Sequence, residues 1–83
     1  MTAKEFEELE VGDLCIILKG KNANAECVVL HKEKTSELRK NFPVSMVVLV
    51  KPANPMWLFA SDTVSYRHFQ LFAHTELRVL SKG

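Results

Sequence analysis

The stretch Val11-Gly12-Asp13-Leu14-Cys15-Ile16-Ile17-Leu18-Lys19-Gly20 decides the architecture. Gly12 frees the backbone for a turn, and the Asp13 side chain bonds neighbouring amides, so a turn opens the segment. The five residues that follow are apolar or β-prone and end at Lys19-Gly20, which predicts a short strand. A strand with one solvated face alternates apolar and polar residues, whereas this one is apolar throughout, so both of its faces need cover. With Cys15 and Ile17 turned inward, Leu14, Ile16 and Leu18 turn outward. Lys21 to Ala25 is small and polar and forms a connecting loop of ordinary length, after which Glu26 to His31 returns as the second strand. Ser45 to Val50 is the third strand. Its parity leaves either Met46, Val48 and Val50 or Val47 and Leu49 outside. An outward apolar patch of this kind marks an interface, here expected at Leu14, Ile16, Leu18, Met46 and Val48.

Outward from these strands the signals are local. Thr2 with Glu5 three residues on forms a capping box, and Phe6 and Leu9 then share one face of a short helical turn. Eight residues hold such a helix only if both side chains dock on a core; otherwise residues 1–10 form an arm. Lys32 to Asn41 is charged and unpatterned, which predicts an exposed loop ended by Phe42-Pro43. Pro52 and Pro55 donate no backbone hydrogen bond and should break the ladder. Met56 to Phe59 reads as a short strand or packed loop, with turn chemistry at Ser61-Asp62. Val64 to Phe72 reads as extended, Ala73 to Glu76 as one tight helical turn and Leu77 to Leu80 as a closing strand. Five or so short strands joined by polar turns predict a single all-β domain over residues 1–83, a five-stranded barrel with a 3-10 turn before its last strand.

The 83 residues leave no room for a second core. Eleven Lys and Arg against ten Asp and Glu give a net charge of +1, without the basic surplus of a dedicated nucleic-acid or membrane-surface binder. No apolar run is long enough to span a bilayer, so no membrane partner is expected. Two cysteines without a pairing motif predict a reduced, cytoplasmic chain.

The turn Val11-Gly12-Asp13 before a strand, the small residues of the first loop and the last helical turn before Leu77-Arg78-Val79-Leu80 resemble the SH3-like barrel, including its KOW and Tudor-like variants. Small free-standing barrels carried on integron gene cassettes and phages are similar. The resemblance implies a fold and leaves function open, because this barrel hosts many activities. Phe69-Gln70-Leu71-Phe72, followed by Leu77-Arg78-Val79-Leu80, also resembles the Val-Gln-Ile-Tyr strand and closing segment of the plasmid-borne type II dihydrofolate reductases. That likeness implies a homotetramer with Gln70 on the floor of a pore for folate and NADPH. Phe72 stands where that family has a tyrosine, and Phe69 where it has a valine.

Chemistry-bearing motifs are sparse. Cys15, Cys27, His31, His68 and His74 include no closely spaced chelating pair, so no metal is expected and the cysteines read as small buried hydrophobes. There is no nucleophile elbow or paired-carboxylate pattern; neither a catalytic residue nor a cofactor is expected. Lys32, Lys34, Arg39 and Lys40 form a basic stretch interrupted by Glu33 and Glu37, and Lys19 and Lys21 flank the first loop. These keep an RNA- or DNA-binding KOW-like module open as an alternative. The favoured reading is a non-catalytic binding module that forms homo-oligomers. Its ligand, a small molecule or a peptide, is expected around Trp57, Phe59, Tyr66, His68 and Gln70, which combine aromatic faces with hydrogen-bonding groups. A solvated strand face is the competing reading of Tyr66, His68 and Gln70. Cover of the apolar strands by the chain's own N-terminal segment and the Pro52–Phe59 loop competes with self-association.

Overall fold

The capping box at Thr2 starts helix α1 (Ala3–Glu8): the Glu5 N–H donates to Thr2 Oγ1 at 3.1 Å, and the Thr2 N–H donates back to Glu5 Oε1 at 2.9 Å. Six residues cannot sustain a helix alone, so tertiary anchors hold it. Phe6 and Leu9 are buried in the core. Lys32 Nζ reaches the end of the helix and donates to the carbonyls of Phe6 (2.7 Å), which also accepts from the capping Leu9 N–H (3.2 Å), and of Glu7 (2.8 Å). Lys82 Nζ does the same for the Glu8 carbonyl at 2.7 Å.

The computed structural model describes residues 1–34, 46–61 and 66–83. The expectations for the Phe42-Pro43 break, Arg39, Lys40, Asp62 and Val64 lie outside the described residues. Among the described residues seven strands follow α1: β1 (Leu14–Ile17), β2 (Glu26–Lys34), β3 (Met46–Pro52), β4 (Phe59–Ala60), β5 (Tyr66–Arg67), β6 (Gln70–Ala73) and β7 (Leu77–Ser81), with a 3-10 turn at His74–Glu76 between the last two. Five of them form one antiparallel sheet in the order β6-β3-β2-β1-β7, and β4 pairs with β5.

The closed barrel expected from the sequence is corrected to an open sheet. Its edge strands, β6 and β7, pair with β3 and β1 rather than with each other. They are nevertheless joined by only the three residues of the 3-10 turn, a reach of about 15 Å. The sheet must therefore curl until its edges approach at that end, without hydrogen bonds closing it among the described residues.

Burial alternates as a two-residue period demands. Cys15, Ile17, Cys27, Val29, Val48, Val50, Phe72 and Leu77 line the concave side, where Phe6, Leu9 and Phe59 complete the core. Leu14, Ile16, Val28, Val47 and Leu49 are half-buried on the opposite face. This corrects the expectation for Val48, which is fully buried; β3 turns Val47 and Leu49 outward instead. Met46, at the mouth of β3, packs partly buried against the core.

Two further elements differ from the sequence reading. Lys32, Glu33 and Lys34 continue β2 opposite Val48, Val47 and Met46 rather than opening a loop. The two cations are placed, Lys32 on the α1 carbonyls and Lys34 on the Glu7 carboxylate. Pro52 ends β3 inside the ladder, opposite Cys27. Ala53 donates to the Glu26 carbonyl, so the Pro52 nitrogen faces the side where β6 has already ended, and no ladder bond is lost.

Candidate functional site

The loop between β1 and β2 is set by an unusual pairing. Asn22 is 5% exposed, and its side chain imitates a strand: Nδ2 donates to the Ala60 carbonyl (3.0 Å) while Oδ1 accepts from the Ala60 N–H (2.9 Å). Gly20 (φ +88°) and Asn24 (φ 70°) supply the left-handed turns around it, positions that Gly and Asn tolerate best. The loop is thereby tied to β4, and the space between it and β6 becomes an open cleft of about 690 Å³.

Lys19, Lys21 and Arg67 bring cations to this cleft, and Glu76 brings its one carboxylate among the described lining residues. Phe69, 55% exposed, and Leu71 form an apolar wall. Gln70 also lines the cleft, and among the described residues its buried Oε1 has no hydrogen-bond partner. Such an acceptor is costly to leave unpaired and calls for a donor. Arg67 Nε donates to Ser61 Oγ at 3.2 Å, which holds the guanidinium beside the β4–β5 pair.

The residues expected to share one ligand surface are divided. Gln70 lies in the cleft. Trp57 and His68 line a second, more apolar groove of about 630 Å³, together with Pro52, Pro55, Met56 and Leu58. Phe69 borders both. Tyr66 is exposed on β5. Phe59 is fully buried, edge-on to Trp57 (5.6 Å between ring centroids) and to Phe72 (6.0 Å), so it supports the site from the core instead of offering a face to a ligand. The signals missed in the sequence are Arg67 and Asn22: the first lay in a stretch read for its β-prone bulk and for Tyr66, His68 and Gln70, the second in a loop read only as small and polar.

The basic stretch is also divided. Lys32 and Lys34 serve α1, as described above, and Lys32 additionally stands 5.2 Å from the centre of the Phe6 ring. Arg39 and Lys40 lie outside the described residues.

Thiol chemistry is suppressed. Cys15 and Cys27 face each other across β1 and β2 as free, buried thiols. Burial pushes Cys15 up to about 11, with the Asp13 charge adding to the effect, and pushes Cys27 up to about 12, with Cys15 as the secondary cause. A thiolate is the reactive form. Labelling of the native protein with a disulfide reagent at pH 8 should therefore proceed only through unfolding, on the order of a thousandfold slower than in denaturant. Labelling at the denatured rate would show that the two strands open locally.

Among the described residues no group of three or more His, Cys, Asp or Glu side chains is placed to hold a metal, and no helix is long and apolar enough to cross a membrane. Compared with protein-family models, with curated proteins and with solved structures, the chain matches none of them.

Proposed function

We propose that the protein is a non-catalytic binding module that self-associates through the convex face of its five-stranded sheet and binds a small ligand in the cleft beside Gln70. The observation that carries this reading is the continuity of the two surfaces. Leu14, Ile16, Val28 and Leu49 run across the sheet half-buried, with Leu71 (50% exposed) on one edge strand and Leu80 (41%) on the other, and Leu49 and Leu71 also line the cleft. Among the described residues, Phe6 of helix α1 and Leu9 after it pack into the core on the concave side, away from that face.

A second copy is the occupant that fits. The convex face carries both signs of charge in register with its apolar residues. Glu26 and Arg78 flank Ile16, and Lys51 stands opposite Val28. Under two-fold symmetry such a patch can set the acids of one copy against the bases of the other. Of the expected interface residues, Leu14, Ile16 and Leu18 remain in this proposal. Val48 is replaced by Leu49, and Met46 by the edge residues Leu71 and Leu80. Paired Leu71→Lys and Leu80→Lys substitutions should weaken self-association by about a hundredfold while the far-ultraviolet spectrum is retained. Unchanged association would place the interface elsewhere.

An SH3-like, KOW- or Tudor-like barrel is the fold reading that belongs with this function. It is supported by a meander whose last strand pairs with the first, by the 3-10 turn before that strand and by the curl that brings the sheet edges together. A reductase-like reading has one observation in its favour, the place of Gln70 in the cleft. It requires a tetramer that oxidises NADPH only in the presence of dihydrofolate, and a wild-type protein without that activity ends it.

A further inference from the structure

We infer that the cleft takes a short extended peptide, which adds to the free edge of β6 as one further strand. This rests on the binding reading above and names the class of ligand.

The backbone directions along β6 follow from the ladder beside it. Ala53 donates to the Glu26 carbonyl, so Lys51 and Leu49, at the same parity, turn their N–H and carbonyl groups toward β2. Val48 and Val50 turn theirs toward β6, where Phe72 and Gln70 stand opposite them. Leu71, opposite Leu49, therefore turns its N–H and carbonyl away from the sheet. Ala73 shares that parity, and its N–H leaves the ladder to donate to Glu76 Oε1 at 3.4 Å. Glu76 thus closes the edge at Ala73. Among the described residues the Leu71 N–H and carbonyl meet no partner, and an extended backbone supplies an acceptor and a donor at the spacing they need.

The surroundings of this edge favour a single strand. β6 borders the cleft from Phe69 to Phe72, and the β1–β2 loop stands across from it, held by the Asn22–Ala60 pairing. A second copy's β6 would bring a whole sheet against that loop, whereas one extended chain adds a width of about 5 Å. Leu71 is 50% exposed and Phe69 55%, so an added strand finds apolar side chains beside it. An apolar residue directly opposite Leu71 would lie about 5 Å from it, which selects a peptide with apolar residues at alternate positions.

The test uses acetyl-Thr-Val-Thr-Val-Thr-amide and two analogues, one N-methylated at both valines and the other at all three threonines. Binding is followed by amide shifts and hydrogen exchange of the isotope-labelled full chain. The parent peptide should shift Gly20 and Leu71 saturably below about 10 mM and slow exchange of the Leu71 amide at least about tenfold. An added strand bonds through alternate residues, so one analogue should bind like the parent and the other at least about tenfold more weakly. Leu71→Pro removes an N–H that no ladder bond uses and should abolish binding, while Leu71→Ile should retain it. Equal binding by both analogues, or wild-type binding by Leu71→Pro, overturns strand addition and leaves the binding reading standing. Leu71 exchange that slows with protein concentration alone puts a second copy on the edge and overturns the peptide assignment. Acetanilide, one ring and one amide, probes the binding reading by itself. If it shifts the cleft and the peptide does not, strand addition is overturned alone; if neither moves a cleft residue, both are contradicted.

Discussion

Phe59→Ala should cost about 3–5 kcal/mol of folding stability, the range for deleting a fully buried aromatic ring. Phe59 is 0% exposed and joins the two sheets: its backbone lies in β4, while its ring packs edge-on against Phe72 of β6 and Trp57 of the preceding loop. A domain of this size has about 5–15 kcal/mol in all, so the variant would sit near its threshold. Phe59→Leu keeps most of the volume and should lose far less, about 1–2 kcal/mol. Urea unfolding measures both. The protein has a single tryptophan, and Trp57 lies against the deleted ring, so its emission should also shift before unfolding begins. A Phe59→Ala variant within 1 kcal/mol of the wild type would mean that β4 does not carry the core.

The second large effect is expected at Asp13, which is 2% exposed yet charged. Its carboxylate accepts from the Glu10 N–H (2.9 Å), the Gly83 N–H (2.9 Å) and Lys82 Nζ (2.5 Å), so one side chain fastens the turn before β1 to the chain after β7. Burial pushes the carboxyl up, but those bonds and the Lys82 charge outweigh it and hold the group at about 2, below its ordinary 3.8. A depressed folded value stabilises the fold above the unfolded value. That contribution is lost as the pH falls from about 4 to about 2. Asp13→Ala should cost about 2–4 kcal/mol at neutral pH, because it leaves two backbone donors unpaired, and should flatten the stability profile across that acid window. An unchanged profile would assign acid sensitivity to other carboxylates.

Which features the sequence made legible follows from how far apart the interacting residues lie. The capping box at Thr2 and Glu5, the turn at Asp13, the alternation through β1 and the last helical turn all depend on neighbours within a few residues, and the structure has each of them. Parity narrowed β3 to two choices and could not select between them. The contact that decides it is long-range, Val48 beside Phe72 on β6. The β2 extension was hidden because a run such as Lys32-Glu33-Lys34 looks solvated until α1 places its carbonyls within reach of Lys32.

The candidate site shows the same division. Lys19, Lys21 and Gln70 were visible as residue types, but one wall of the cleft is positioned by the pairing of Asn22 with Ala60, thirty-eight positions away. Trp57 and Phe59 look equivalent in sequence, two residues apart. The structure separates them, one at 40% exposure in a groove and the other in the core.

The most direct test of the central claim is the molar mass of the wild-type protein by light scattering behind size-exclusion chromatography, over a hundredfold range of concentration. A continuous apolar face with self-complementary charge predicts a dimer or larger closed assembly that dissociates on dilution. A strict monomer at every concentration would contradict it and leave the convex face of the sheet without a second copy to cover it.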